Sequence, residues 1–378
     1  MRSTGRSDAE TEDRGEGTEE DGMDGLKIIA LGSALPGRLV SNDELSHYAD
    51  TSDEWIFPRT GIHDRYFCEK EESAMTLAGR AARAALGRSG IDPSELGAVV
   101  VATMSADFAT PSLACLVARE LGCPETIPAL DLNAACSGFV YGLEVARGLL
   151  LGNGGRYALL IGTEQLSRLL DLSDRTTSIL FGDGAGAAVL ERSAASVYES
   201  FLGSRGDASI LAPGTYTGAF DGFYSDGTED ESVLGSGVTA GKHQKVDHML
   251  MDGKSVFLFA IDIVPRCIEE ILKKSGRTME EIAHVVCHQA NSRIIRNVVR
   301  HMKADSGKFF EDMEHYGNTS GASIPLALDD MRERGLLQRG EELILVGFGG
   351  GLTWASAILC YEPPLPKDPK GETGTERK

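Results

Sequence analysis

The strongest constraint on the fold is an internal repeat, because the chain carries one sequence pattern twice. The segment LGRSGIDPSELGAVVV at 86–101 corresponds to LKKSGRTMEEIAHVVC at 272–287, an offset of 186 residues (272 minus 86). Each segment predicts a helix end closed by Ser-Gly, a short acidic connection and a β-branched strand. A single match of this kind is weak evidence, so the order of further matches matters.

Two further matches follow in the same order in both halves. SGFVYGLEVARGLL, from Ser137, corresponds to SGASIPLALDDMRERGLL, from Ser320, and both predict a helix that ends in Arg-Gly-Leu-Leu. FGDGAGAAVL, from Phe181, corresponds to FGGGLTWASAIL, from Phe348, and both lead from a glycine turn into a strand. We therefore predict a duplicated α/β protein with continuously apolar, buried strands. Equivalent turns would then face each other across a pseudo-dyad and could share one site.

The repeat also divides the chain. The two predicted halves are 25–195 and 196–362, and the Gly-, Asp- and Ser-rich segment 203–248 predicts an extended surface loop. Residues 1–24 contain nine acidic residues, three arginines and no apolar periodicity. That composition predicts a disordered acidic tail and not a signal peptide, and residues 363–378 are predicted to form a C-terminal tail.

Composition limits the partners. A net charge of −20 argues against nucleic acid as a binding partner. The sequence contains no run of eighteen consecutive apolar residues, so we predict no membrane span. The seven cysteines are odd in number and scattered, which favours a reduced, cytoplasmic protein over a disulfide framework. No Cys-x-x-Cys pair occurs, and we predict no metal site.

Cys136 is the first candidate for chemistry. It follows the predicted strand of ALDLNAACSGF and precedes an amphipathic helix, so it lies at a helix N-terminus. Free N–H groups and the helix dipole there favour the nucleophilic thiolate. An isolated thiol of this kind is more often a buried structural cysteine, so its surroundings must decide.

The second half supplies those surroundings. His288 ends a strand in VVCHQAN, and Asn318 precedes the helix that duplicates the one after Cys136. Alone, these two residues would be a strand-end histidine and a helix cap. The repeat places them on turns that face Cys136, and a thiol with His and Asn suits acyl transfer through a thioester. Gly350, in a glycine run after another strand, could lend an N–H to an oxyanion.

Together the motifs AACSGF, HQAN, GNTSGAS and FGGGLTW resemble β-ketoacyl-acyl carrier protein synthase III, a condensing enzyme of the thiolase superfamily. TSDEWIFPRTGI and DRTTSILFGDGAGAAVL resemble it as well, and the resemblance covers Leu26 to Tyr361. It implies a thiolase-like fold with layered αβαβα architecture, a homodimer, and no cofactor beyond the coenzyme A thioester substrate. A papain-like hydrolase also uses Cys, His and Asn, but the repeat and the glycine-rich turns do not fit that class.

The resemblance also implies roles for individual residues. Cys136 would take an acyl group from acyl-CoA, and His288 and Asn318 would assist decarboxylation of malonyl-acyl carrier protein. The N–H groups of Cys136 and Gly350 would form the oxyanion hole. The residues that would contact coenzyme A are Trp55, Arg59, Thr60, Arg175, Gly253, Phe257 and Asn291. Thr110 occupies a position that would limit the primer pocket, and its small side chain predicts room for branched or longer acyl groups.

A basic stripe stands apart from the family motifs. Arg293, Arg296, Arg300 and Lys303 recur at helical spacing on one face. Such a stripe is usually a solvated helix face, but on a chain this acidic it also predicts docking of an acidic carrier protein. Leu258 replaces a basic residue that aids docking in many relatives, which puts the strength of that interaction in doubt.

Three functions therefore compete. The first is a priming condensing enzyme of fatty acid biosynthesis. The second is a starter-unit condensing enzyme or acyltransferase of specialised metabolism with the same triad. The third is a non-catalytic binding relative, which the intact set of Cys136, His288 and Asn318 disfavours.

Overall fold

The computed structural model describes residues 25–214 and 246–365. The predicted N-terminal tail and residues 366–378 of the predicted C-terminal tail lie outside this range. The strands are β1 Gly25–Ala34, β2 Arg38–Ser41, β3 Asp64–Phe67, β4 Leu96–Ala102, β5 Ala129–Leu132, β6 Tyr157–Glu164, β7 Gly184–Ser193, β8 Tyr198–Asp207, β9 Ile210–Leu211, β10 Leu250–Met251, β11 His284–Cys287, β12 Glu341–Gly349 and β13 Gly351–Tyr361.

The α-helices are α1 Asn42–Leu45, α2 Asp53–Thr60, α3 Ala74–Ser89, α4 Leu113–Leu121, α5 Gly138–Asn153, α6 Gly253–Ser275, α7 Ser292–Met302, α8 Met313–Tyr316 and α9 Ser323–Glu333. Short 3₁₀ turns lie at Pro93–Glu95, Ala135–Ser137, Ser167–Leu169, Ser306–Lys308 and Ser320–Ala322. Two of these turns, Ala135–Ser137 before α5 and Ser320–Ala322 before α9, contact each other where the two halves meet.

The strand pairing repeats between the two halves. In the first half the order is β1-β7-β6-β4-β5, with β4 parallel to both β5 and β6 and the other pairs antiparallel. In the second half β8, β13, β12 and β11 follow the same order and directions. In the second half, a single parallel bridge from Val285 to Phe309 corresponds to the pairing of β5 with β4 in the first half. The predicted duplication is therefore present in the topology as well as in the sequence.

Helices and sheets alternate in five layers. The helices α3 and α4 cover one face of the first sheet, α6 and α7 cover the outer face of the second, and α5 and α9 lie between the sheets. The central core joins Phe139 and Leu143 of α5 to Leu328 of α9 and to strands of both sheets. Since β1 and β13 also pair in parallel at Lys27 and Ile28, the strands of the two halves join into one nine-stranded sheet, and β2-β3 and β9-β10 form two small separate sheets.

Equivalent helices end in the same way. The helix α3 begins at a capping box between Ser73 and Thr76 and ends at Gly90, whose φ is 69°. The helix α6 begins where the Asp252 side chain accepts N–H bonds, and it ends at Gly276, whose φ is 68°. Both glycines adopt the left-handed conformation that closes a helix at little cost. The predicted Ser-Gly helix ends are therefore confirmed.

The structure corrects the alignment of one repeat. The sequence matched Ser137-Gly138 with Ser320-Gly321, but the turn before α5 starts at Ala135 and the turn before α9 at Ser320. Both starting residues have positive φ, 44° and 48°. Ala135 is therefore equivalent to Ser320, and the match on Ser-Gly letters was wrong by two residues. The shared feature is a left-handed residue at the start of the turn.

The predicted loop at 203–248 is wrong at its start. Residues 203–207 continue β8, which pairs with β13, and β9 pairs with β10. Gly203 lies against the ring of Trp354, where a Cβ would come within 2.4 Å of ring carbons. The glycine therefore serves packing and not a turn. Residues 215–245 of the predicted loop lie outside the described part of the chain. The predicted boundary near 196 falls between β7 and β8 and stays a prediction.

Close contact between the halves predicts a stability effect at Gly162. A Cβ there would lie 2.3 Å from the carbonyl oxygen of Gly321. We expect Gly162→Ala to lower the free energy of unfolding by about 1–3 kcal/mol through overpacking. In the control Gly148→Ala, within α5, a Cβ meets nothing within 4 Å. That change should raise stability by about 0.5–1 kcal/mol. Denaturant unfolding measures both, and equal stability of the two variants would contradict the packing argument.

Candidate active site

Cys136 lies at the junction of the two halves. The chain leaves β5, turns through Ala135 in the left-handed region, and enters α5 at Gly138. Cys136 is 7 % exposed in the middle of this turn. Its position before a helix, with the second half facing it, agrees with the sequence prediction.

The end of β12 comes against the sulfur. A Cβ at Gly349 would lie 2.9 Å from Sγ of Cys136, and one at Gly347 would lie 2.8 Å from Cα of Ser137. Only glycine fits this approach. It brings the backbone at Gly350 beside the sulfur, and the N–H groups of Gly350 and of Cys136 itself both act to lower the pKa of the thiol. These are the two N–H groups that the sequence predicted for an oxyanion hole.

The charge state of Cys136 differs from the prediction. Burial raises the pKa of its thiol to about 11, although hydrogen bonds from Ser320 and the two N–H groups act in the opposite direction. The thiol is therefore protonated at neutral pH in the empty site, and the predicted resting thiolate is wrong. Removal from water outweighs the helix N-terminus here.

His288 lies in the same buried region. It follows β11 and is 2 % exposed. Its backbone N–H donates to the carbonyl of Val346 at 2.7 Å. Nδ1 lies 2.7 Å from Oγ of Ser323 in the first turn of α9. Burial lowers the pKa of His288 to about 3, so the ring is neutral at physiological pH. Ser323 is a partner that sequence reasoning missed.

The Ser323 contact bears on which nitrogen carries the proton. Oγ of Ser323 accepts the N–H of Gln289 at 3.3 Å, which leaves the serine hydrogen available to Nδ1 of His288. With Nδ1 accepting, the neutral ring carries its proton on Nε2. His288 can then act as a neutral hydrogen-bond donor.

Asn318 is held in place by backbone hydrogen bonds to the turn that precedes β7. Its N–H donates to the carbonyl of Leu180 at 2.8 Å, and its carbonyl accepts the N–H of Gly182 at 3.0 Å. The side-chain oxygen accepts the N–H of Ser320 at 2.9 Å. Because that bond fixes the amide orientation, the NH₂ group is left to donate elsewhere.

One cavity brings these groups together. Its lining includes both the catalytic candidates and three predicted coenzyme A contacts: Cys136, His288, Asn318, Gly350, Ser320, Phe348, Gly253, Phe257 and Asn291. Its walls are mostly apolar, and Phe348 presents its ring to His288 with centroids 5.2 Å apart. Cys136, His288 and Asn318 therefore share one pocket, although they lie up to 182 positions apart (318 minus 136).

A second cavity lies on the other side of the Cys136 turn. Ala135, Met104 and Gly350 line both cavities, and Phe108 and Leu132 line only the second. Thr110 lines neither and is exposed on the surface. Within one chain, therefore, Thr110 does not line a cavity at Cys136, and its predicted role in limiting the primer pocket stays a prediction.

The predicted nucleotide contacts lie outside the two cavities. The guanidinium groups of Arg59 and Arg175 lie 4.6 and 4.8 Å from the centre of the Trp55 ring. Arg175 also donates to the carbonyl of Asp50. Thr60 is 3 % exposed, and its hydroxyl bonds to the backbone of α2 and to the N–H of Ile62. Its side chain is therefore committed to the helix end and not presented to a nucleotide.

The basic stripe is largely as predicted. Arg293, Arg296 and Arg300 are exposed on α7, and within the described chain none of the three forms an ion pair. Lys303 does not continue the helix: it is the C-cap, with φ of 52°. Arg293 lies over the ring of Phe257 at 5.8 Å, which joins the stripe to the cavity.

Neither a metal centre nor a membrane helix is found in residues 25–214 and 246–365. No group of three or more His, Cys, Asp or Glu side chains there could hold a metal ion. No helix in the same residues is long and apolar enough to cross a bilayer.

Comparison with known proteins agrees with this geometry. The family model for 3-oxoacyl-[acyl-carrier-protein] synthase III matches residues 130–206, and the model for the C-terminal part of that family matches residues 272–361. A β-ketoacyl-[acyl-carrier-protein] synthase III of Clostridium beijerinckii is 39% identical over 341 residues, which is 89% of this chain and 99% of the relative.

Two solved structures are similar over the same range. The 3-oxoacyl-(acyl carrier protein) synthase III of Pseudomonas aeruginosa has a TM-score of 0.78 and 35% identity, covering 90% of this chain and all of that one. The priming β-ketosynthase of the R1128 polyketide pathway has a TM-score of 0.78 and 36% identity, covering 90% and 97%. The predicted thiolase-like fold is thereby confirmed. The chain belongs to the 3-oxoacyl-[acyl-carrier-protein] synthase III family of condensing enzymes.

Proposed function

We propose that the protein condenses an acyl-CoA primer with malonyl-acyl carrier protein through a thioester on Cys136, as the first condensation of fatty acid biosynthesis. The observation that carries the proposal is the shared cavity. A buried thiol, a neutral histidine and an oriented asparagine amide all line one mostly apolar cavity. Coenzyme A enters as part of the substrate, and no further cofactor is invoked.

The first half-reaction uses the Cys136 turn. Sγ attacks the thioester carbonyl of acyl-CoA, and the oxygen that becomes negative is met by the N–H groups of Cys136 and Gly350. Two backbone donors held in place before reaction stabilise such an oxyanion without reorganising. Coenzyme A leaves with a proton, and the acyl group stays on the sulfur.

The second half-reaction uses His288 and Asn318. When malonyl thioester loses carbon dioxide, negative charge develops on the thioester oxygen. The neutral Nε2–H of His288 and the amide of Asn318 can both donate to that oxygen, and neither adds a competing negative charge. The carbanion then attacks the acyl carbon on Cys136, and the sulfur leaves.

The triad predicts a separation of the two steps. We expect Cys136→Ala to abolish the mass increase on incubation with acyl-CoA, because the acceptor atom is lost. His288→Ala and Asn318→Ala should still load but should slow carbon dioxide release from malonyl-acyl carrier protein by about 100- to 1000-fold. Intact mass spectrometry and carbon dioxide assays measure these steps.

Cys360→Ala is the matched control, because Cys360 lines neither cavity. It should load as the native protein does. Loading that persists in Cys136→Ala would contradict the proposed thioester.

Coenzyme A recognition fits the surface around Trp55. A nucleotide base could stack on this ring only by displacing one of the two guanidinium groups, Arg59 or Arg175, from it. A displaced guanidinium can cover the other face of the base or meet a phosphate. We propose both arginines and Trp55 as nucleotide contacts, with Gly253, Phe257 and Asn291 along the pantetheine. Thr60 would stabilise the C-terminal end of α2 through its buried hydroxyl and would not contact the nucleotide.

Carrier docking is proposed at α7. Three exposed arginines without acidic partners in the described chain form a positive surface on a protein with net charge −20. The contact between Arg293 and Phe257 places this surface beside the cavity. Leu258, 53 % exposed, adds an apolar neighbour on the same side.

Charge reversal tests the docking surface. Arg296→Glu combined with Arg300→Glu should raise the KM for malonyl-acyl carrier protein about tenfold, because attraction becomes repulsion. Acyl-CoA loading should be unchanged. Lys70→Glu, at an exposed lysine in the turn after β3, reverses one charge away from α7 and shows what such a reversal does outside the docking surface. Equal KM values for the double variant and this control would remove the docking proposal.

A homodimer is proposed through β5. This strand pairs only with β4 among the described residues, and its apolar residues Ala129, Leu130 and Leu132 are partly exposed. A second copy could cover this edge by strand pairing. Phe108, 55 % exposed, and Thr110 precede α4, which packs against β5, so we place Thr110 at the partner's primer pocket.

Primer selection tests that placement. Thr110→Phe should lower the ratio of isobutyryl-CoA to acetyl-CoA turnover by at least about tenfold, because the ring would fill space that a branched acyl group needs. Thr110→Val, similar in size to threonine, should leave the ratio near its native value. A phenylalanine variant with the native ratio would show that position 110 does not reach a pocket.

The alternative in specialised metabolism keeps the same chemistry. It draws on the similarity to the priming ketosynthase of a polyketide pathway, whereas the curated relatives favour the fatty acid function. We also propose a cytoplasmic location, because all seven cysteines are unpaired. A non-catalytic role is disfavoured by the complete triad in one cavity.

A further inference from the structure

A buried cation lies beside the turn that carries Asn318, and no step of the proposed reaction uses it. Arg65, in β3, is fully buried. Its Nη1 donates to Oδ1 of Asn42 at 2.7 Å, and its Nη2 donates to the carbonyl of Ile179 at 2.6 Å. Burial lowers the pKa of Arg65 to about 10, so the guanidinium keeps its charge at neutral pH. Because these acceptors are neutral, the charge strengthens both hydrogen bonds and forms no ion pair with them.

The segment 179–183 runs along β3 and is fixed to it at both ends. The guanidinium of Arg65 holds the first residue of the segment through the carbonyl of Ile179. The N–H of Asp183, the last residue, donates to the carbonyl of Tyr66 in β3 at 2.8 Å. The position of this segment therefore depends on one side chain of β3 and on the backbone of its neighbour.

The middle of the same segment holds Asn318. The carbonyl of Leu180 and the N–H of Gly182 form the two backbone hydrogen bonds to Asn318, at 2.8 and 3.0 Å. Packing here is close, since a Cβ at Gly182 or at Gly317 would lie 3.0 Å from Cβ of Arg65. Consecutive carbonyl groups of the chain are thus held by the buried guanidinium and by the asparagine.

We propose that Arg65 is a positioning residue for decarboxylation, whose guanidinium fixes the segment 179–183 so that the amide of Asn318 can donate to the thioester oxygen. This inference rests on the proposed function and adds to it a residue that lines neither cavity. The fork of the guanidinium reaches acceptors on two different elements, which one ammonium group at a single point cannot do. A small displacement of a group that positions or stabilises reacting atoms is enough to slow a reaction severalfold or more.

The two half-reactions separate this role from a general effect on the fold. Among the described residues, the acceptors of the Arg65 guanidinium are Val40, Asn42 and Ile179, and none of them belongs to the Cys136 turn. Acyl loading should therefore be nearly independent of Arg65. A buried arginine that only stabilises the protein would slow loading and decarboxylation alike.

The experiment is a double-mutant cycle between positions 65 and 318. Native protein, Arg65→Lys, Asn318→Ala and the double variant are compared. One assay measures the rate of carbon dioxide release from malonyl-acyl carrier protein. The other measures the mass increase with acetyl-CoA or isobutyryl-CoA, whichever the native protein loads faster.

We expect Arg65→Lys to slow carbon dioxide release about tenfold, because the segment loses one of its fixed points. Loading should change by less than about twofold, since the Cys136 turn keeps its contacts. In the Asn318→Ala background the same change should slow carbon dioxide release by less than about twofold, because the amide that Arg65 positions is no longer there.

Lys308→Met is the matched control for loss of a cation that binds carbonyl groups. Nζ of Lys308 donates to the carbonyls of Met279, Glu280 and Ile282, and Lys308 lines neither cavity. This variant should unfold at a lower denaturant concentration and keep the native ratio of the two rates. A selective loss of carbon dioxide release in Lys308→Met would show that reduced stability alone produces the effect, and would contradict the inference.

The outcomes distinguish this inference from the proposed function. If the native protein releases no carbon dioxide, or if Asn318→Ala releases it at the native rate, the proposed chemistry is wrong and the role of Arg65 falls with it. If Asn318→Ala is slow but Arg65→Lys has the native rate, or loses the same factor in both backgrounds, the role of Arg65 is wrong and the proposed function stands. Should Arg65→Lys not fold, Asn42→Ala removes one acceptor of the guanidinium and goes through the same cycle, where equal losses in both backgrounds would again overturn the inference.

Discussion

The site depends on the contact between two equivalent turns, Ala135–Ser137 and Ser320–Ala322, at the centre of the molecule. Each turn begins with a left-handed residue and leads into one of the two helices between the sheets. Glycines at 162, 347 and 349 let the backbone of one half approach the other to distances that no side chain would permit. Neither half contains the whole triad, so the chemistry exists only because these turns meet.

Burial at that contact determines the electrostatics. It leaves the Cys136 thiol protonated and the His288 ring neutral, so the empty site holds no thiolate–imidazolium pair. A neutral histidine beside an asparagine amide is suited to donate to a developing negative oxygen.

Much of this could be predicted from the sequence. Strands and helix ends carry local sequence patterns, and the repeat of these patterns predicted the duplicated topology and the Ser-Gly helix ends. It also predicted that Cys136 would meet His288 and Asn318. Features that depend on packing could not be predicted. The repeat matched Ser137 with Ser320 by letter, whereas backbone conformation pairs Ala135 with Ser320. Gly203 stands in a stretch with the composition of a loop, whereas in the structure it packs against the ring of Trp354. Ser323 follows no motif, since only the fold brings it to His288.

The most direct test of the shared site is the structure of the protein after incubation with an acyl-CoA that it accepts. The account predicts an acyl group bonded to Sγ of Cys136, with its carbonyl oxygen between the N–H groups of Cys136 and Gly350 and with His288 and Asn318 lining the space beside it. An acyl group on any other residue, or a carbonyl oxygen directed away from those two N–H groups, would contradict it.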